Sequence, residues 1–115
     1  MSDEYVRVAH VAEVAEGTAV PVQVGGREVA LFHVEGAFYA LRNRCPHQGG
    51  PLCEGHLQSG GEIPTVTCPW HAWTFKLTDG KMLAGFSLVD TYEVRVEDGQ
   101  VAVCATPRPR PQRGP

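Results

Sequence analysis

Along most of this chain, apolar residues alternate with polar ones, the two-residue period of a strand with one buried face. Val20, Val22 and Val24 alternate with Pro21 and Gln23, and Trp73, Phe75 and Leu77 with Thr74 and Lys76. Tyr92, Val94 and Val96 alternate with Glu93, Arg95 and Glu97. Short turn signals separate the runs: Gly25 with Gly26, Glu35 with Gly36, Asp79 with Gly80, and Asp98 with Gly99. Such pairs supply the positive φ angles that tight hairpins require. The pattern predicts strands at 5–9, 18–24, 28–34, 37–42, 64–68, 73–77, 91–97 and 100–104. Pro21 cannot donate to a ladder, which puts its strand at a sheet edge. Only 11–16 reads as helical, for about one turn. The expected fold class is all-β.

The segment 43–64 breaks this rhythm. It is rich in Gly, Pro, Cys and His, and a loop of that length in a compact domain usually carries function. Two clusters stand out, CPH from Cys45 to His47 and CPWH from Cys68 to His71, each following an expected strand. Each offers one thiolate and one imidazole, so two hairpin tips brought together would converge four ligands. Two Cys and two His suit tetrahedral zinc or a mixed-ligand 2Fe–2S cluster. Structural zinc sites more often pair Cys with Cys and His with His. Here each arm carries one of each, as a binuclear cluster needs when one iron takes both cysteines and the other both histidines. No C-x-x-C-H run is present to attach a c-type haem.

The two motifs, CPHQGGPL and CPWHAWTF, resemble those of the Rieske family, and the resemblance extends over nearly all of residues 5–104. It implies an antiparallel β-sandwich with a cluster-binding subdomain of two ligand loops, about 43–88, within one domain spanning 1–105. It implies one 2Fe–2S cluster, with Cys45 and Cys68 on the inner iron and His47 and His71 on the outer, near the surface. Gly49 and Gly50, lacking Cβ atoms, would let loop backbone approach the cluster. Pro46 and Pro69 would stiffen the loops. A third segment, 82–87, stands where the family has a covering loop, with Met82, Leu83 and Phe86 as covering groups. Ala72 stands where many members have Gly, which is tolerable if its φ stays negative.

High-potential members of the family carry an extra cysteine in each loop, joined as a disulfide, and a Ser and a Tyr after the last ligand. Here Trp70, Trp73 and Phe75 occupy the places of the second cysteine, the Ser and the Tyr. Fewer hydrogen bonds stabilise the reduced cluster less, so a potential near the low Rieske end, about −150 mV, is expected. If His47 and His71 are ligands, that potential should also depend on pH. The chain is too short to hold the mononuclear-iron domain of an oxygenase, and nothing in it suggests catalysis alone. The resemblance therefore implies an electron carrier between a flavin reductase and a terminal oxygenase. Two alternatives stand beside it: the small subunit of an assimilatory nitrite reductase, and a zinc-binding structural module without redox function.

Composition adds limits. The 115 residues are 43% hydrophobic, suited to a single core. No apolar run approaches a membrane span, and the acidic start MSDEYVRVAH is unlike a secretory signal, so a cytoplasmic protein is expected. The formal net charge is −3, and the segment 106–115 carries three arginines without an acid, leaving the body more acidic still. That balance argues against a nucleic-acid partner. The Pro- and Arg-rich segment 106–115 has no large apolar residue and is expected to stay unpacked. Cys53 and Cys104 are expected as small apolar side chains, not ligands. His10, His33 and His56 lie outside the motif.

Overall fold

The computed structural model describes residues 4–46, 49–70 and 72–109. Among the described residues there are ten strands: β1 Tyr5–His10, β2 Thr18–Val24, β3 Arg27–Val34, β4 Ala37–Arg42, β5 His56–Gln58, β6 Thr65–Thr67, β7 Thr74–Lys76, β8 Thr91–Tyr92, β9 Val94–Glu97 and β10 Gln100–Cys104. They form three antiparallel sheets, ordered β1-β10-β9, β2-β3-β4-β8 and β5-β6-β7. The all-β expectation holds. The helical turn at 11–16 is a 3-10 turn, Val11–Glu13, which His10 caps through its ring nitrogen.

Local chemistry explains the hairpins. Gly25 and Gly26, Glu35 and Gly36, and Asp98 and Gly99 all adopt positive φ, as two-residue turns between right-twisted strands require. Pro21 faces Ala30 from β2, an edge strand, so its missing N–H leaves no gap inside the sheet.

The central sheet is buried on both faces. From β3, Val29 and Leu31 enter one core, with Val24, Ala40, Tyr92, Val101 and Val103. The intervening Ala30, Phe32 and Val34 enter a second core, with Leu41, Leu52, Val66, Phe75 and Leu77. This two-sided burial is why β3 reads as a nearly unbroken apolar run. The first core closes the sandwich; the second seats the β5-β6-β7 sheet, and Cys45 and Cys68 belong to it.

Three expectations need correction. β5 lies inside the segment read as loop, paired to β6 from His56 opposite Thr67 to Gln58 opposite Thr65. The run 91–97 is two strands: β8 pairs with β4, and β9 pairs with β10 in another sheet. Its alternation continues across Glu93 because Tyr92 and Val94 both pack on the first core, although Thr91 is buried as well and Val96 is exposed. Within the stretch expected to stay unpacked, Arg108 is fastened: its backbone N–H donates to Thr91 O at 2.8 Å and its Nε to Thr91 Oγ1 at 2.9 Å.

Candidate metal centre

Two loops carry the cysteines, one from the end of β4 and one from β6 into β7. In the first, Cys45 N donates to Gly50 O at 2.8 Å and Gly49 N donates to Cys45 O at 2.8 Å. In the second, Cys68 N donates to Trp73 O at 2.7 Å and Ala72 N donates to Cys68 O at 3.1 Å. Each loop thus closes on itself by the same pair of bonds, to the residues four and five past its cysteine. The fourth residue has positive φ in both, +79° at Gly49 and +59° at Ala72. The expectation that Ala72 tolerates its place with a negative φ is therefore overturned. The loop needs a left-handed residue there, and a Cβ makes that conformation costly.

The cysteines are only 1% and 3% exposed, for Cys45 and Cys68 respectively, and neither is in a disulfide. His47 and His71, expected as their partners, lie outside the described residues, as does Gln48. Gly50 makes a contact only a glycine permits. A Cβ there would lie 2.8 Å from Cys68 Sγ and 3.2 Å from Cγ and Cδ2 of Trp70. The sequence motif drew attention to Gly50, but only the geometry shows what it approaches.

The third segment is held beside the second loop. Leu83 N donates to Thr74 O at 2.9 Å, and Met82 bridges to Phe75. Of the three residues expected to cover the site, Met82 packs on its core, whereas Leu83 and Phe86 are 57% and 82% exposed. Trp73 is tucked against the same core, and Trp70 is 56% exposed. Phe75 is fully buried, an apolar wall beneath the loops.

Cys53 is not part of this group. Its backbone N–H donates to Asn43 Oδ1 at 2.7 Å, while Asn43 Nδ2 reaches Cys53 Sγ at 3.2 Å and Glu28 Oε1 at 2.9 Å. Burial pushes its thiol pKa up, against the lowering effect of Asn43. Cys104 is buried in β10, which pairs with β1 and β9 in another sheet.

The family model for the Rieske [2Fe-2S] domain matches residues 4–93. The chain belongs to this Rieske family. Its cofactor is accordingly one Rieske-type 2Fe–2S cluster. The chain is 39% identical over 95 residues to the ferredoxin subunit of 3-phenylpropionate/cinnamic acid dioxygenase from Escherichia coli K12, covering 81% of this chain and 86% of that subunit. It is also 33% identical over 101 residues to mouse apoptosis-inducing factor 3, a match that takes in 86% of this chain but only 16% of that protein. Among solved structures, the ferredoxin of carbazole 1,9a-dioxygenase from Nocardioides aromaticivorans IC177 superposes with a TM-score of 0.82 at 26% identity, covering 89% of this chain and 98% of that one. An NADH-dependent nitrite reductase small subunit from Mycobacterium tuberculosis superposes with a TM-score of 0.85 at 26% identity, covering 90% and 96%.

The described half of the site fits a Rieske cluster. Two buried cysteines outside any disulfide sit on twin loops, and soft thiolates are the ligands iron–sulfur clusters take. The space at Gly50, which a Cβ would fill, lies against one of the two sulfurs. Among the described residues, no helix is long and apolar enough to cross a membrane.

Proposed function

We propose that Cys45, His47, Cys68 and His71 hold the cluster, and that the protein carries single electrons from a flavin reductase to a terminal oxygenase without acting on the oxygenase's substrate itself. The carrying observation is the 39% identity to a dioxygenase ferredoxin subunit over most of both chains. The cluster supplies the redox chemistry, gaining and losing one electron. This chain's residues supply the rest. Cys45 and Cys68 provide buried thiolates from the twin loops, and Phe75 and Trp73 exclude water from beneath and beside them. Exposed Trp70, Leu83 and Phe86, on the second loop and the segment paired against β7, offer partners an apolar landing face.

The places where hydroxyl donors raise potential in high-potential relatives hold Trp73 and Phe75, which supports a potential near the low Rieske end, about −150 mV. A redox titration giving roughly +100 mV or more would contradict it. The carrier role is tested by mixing the purified protein with an NADH-driven flavin reductase and a Rieske oxygenase. Rapid reduction and delivery of electrons without a stable complex are expected.

The likeness to a nitrite reductase small subunit supports a second reading, in which the chain is a fixed component of a sirohaem enzyme. Stable co-purification with such a large subunit, and inability to serve a separate oxygenase, would replace the first reading by the second.

A further inference from the structure

We propose that Trp70 locks the two cysteine loops together, packing its indole over the backbone of Gly50 beside the Cys68 sulfur. The inference rests on the reading of Cys45 and Cys68 as ligands. The two loops are separate hairpin tips, and the backbone bonds just described close each upon itself. Something must hold the tips in register for two sulfurs to serve one cluster. Gly50 terminates the ring of the first loop, since its carbonyl accepts the Cys45 N–H, and it is buried. Trp70 lies two residues past Cys68 on the second loop. Its Cγ and Cδ2 lie 3.2 Å from the place a Cβ of residue 50 would take, so a side chain there would push the ring outward.

Exposure makes this contact informative. Trp70 is 56% exposed and so is not held by core burial; its Cγ and Cδ2 lie beside Gly50 of the opposite loop, at the same place that Cys68 Sγ approaches. An indole has large area and only two side-chain torsions, so it can bridge loops at little entropic cost. In this position it also shuts water from the Cys68 sulfur. Trp70 is therefore a positioning residue, acting on the cluster through the loops.

The test uses the full-length holoprotein and its Trp70→Ala, Trp70→Phe and Phe86→Ala variants, the last removing another exposed aromatic. Cluster release is followed by loss of visible absorbance under a chelator, and the reduction potential of each variant is measured. Trp70→Ala should release its cluster about tenfold faster than the parent, and Trp70→Phe within about threefold of it. Phe86→Ala should match the parent in cluster release and in potential. Water admitted to the sulfur stabilises the more negative reduced cluster, so the potential of Trp70→Ala should rise. A role confined to general stability would leave the potential unmoved. If Trp70→Ala accumulates without cluster, Trp70→Leu carries the same measurement: faster release supports the lock and a parental rate overturns it. Parental release and potential in Trp70→Ala would overturn the lock alone, provided Cys68→Ser is colourless. A coloured Cys68→Ser protein would overturn the ligand reading beneath it.

Discussion

The two cysteine loops share one hydrogen-bonded frame but meet its demand differently. Each must place a left-handed residue four positions past its cysteine; the first uses Gly49 at φ +79°, the second Ala72 at +59°. A glycine takes that conformation freely, whereas an L-residue there costs about 1–2 kcal/mol. The second loop is therefore the more strained half of the site. Its conformation is imposed by its surroundings: the Cys68–Trp73 bond, the β6–β7 ladder from Thr67 opposite Thr74, and the Thr67–Thr74 hydroxyl pair at 2.8 Å. Strain of this kind persists where neighbouring contacts over-determine the backbone, and here it lies on the loop that carries Cys68, a proposed ligand.

Breaking either loop at its sulfur should have the largest effect, and the same one. Cys45→Ser and Cys68→Ser should each purify without cluster, read as loss of visible absorbance. An intact spectrum in one would show that the loops are not equivalent. Next comes the glycine pair. Gly50→Ala forces a Cβ against Cys68 Sγ and the Trp70 ring, an overpacking expected to cost about 1–3 kcal/mol and to lower cluster occupancy. Gly49→Ala would have the flexible Arg44 side chain as its nearest described neighbour, at 3.5 Å, and should cost about 1 kcal/mol, chiefly through φ. Thermal unfolding and iron content of the two variants separate these effects. Ala72→Gly should relieve the second loop, raising stability by about 0.5–1 kcal/mol after the extra freedom of the unfolded glycine is counted. That gain reads as a few degrees in Tm.

The smallest effect lies outside the loops and serves as their control. Glu16 accepts the backbone N–H groups of Gly36 and Glu35 across the β3–β4 turn. Those bonds, with a smaller effect of His33, hold its carboxyl below the ordinary value of 4.5. A depressed folded pKa stabilises the protein above pH 4.5, and the stabilisation is lost as pH falls through the lower folded value. The small Tm advantage of the native protein over Glu16→Gln should be full at neutral pH and vanish in acid, with the visible spectrum of the variant unchanged at neutral pH.

Much of this architecture was legible in the residues. Alternation and turn pairs located most strands, because one buried face imposes a period of two and hairpins demand positive φ. Pro21 announced an edge. The paired Cys and His motifs carried the family and its cofactor. What escaped notice depended on tertiary contacts. His56, Leu57 and Gln58 form a strand only because β6 is there to pair with them. Nothing in the run around Glu93 marks the change of sheet, since Tyr92 and Val94 pack on the same core across it. Arg108 looked solvated because its anchors, the Thr91 backbone and hydroxyl, lie in another part of the chain. The φ of Ala72 follows from the closed frame of its loop, and a propensity reading favours the opposite sign.

The central claim is that one cluster is held by a thiolate and an imidazole from each loop. An EPR spectrum of the dithionite-reduced protein tests it most directly, because imidazole ligation of one iron lowers the average g-value below that of all-cysteine 2Fe–2S clusters. A reduced signal with that lowered average is the predicted result. A signal with the average of an all-cysteine cluster, or a colourless zinc-loaded protein that gives none after reconstitution with iron and sulfide, would contradict it.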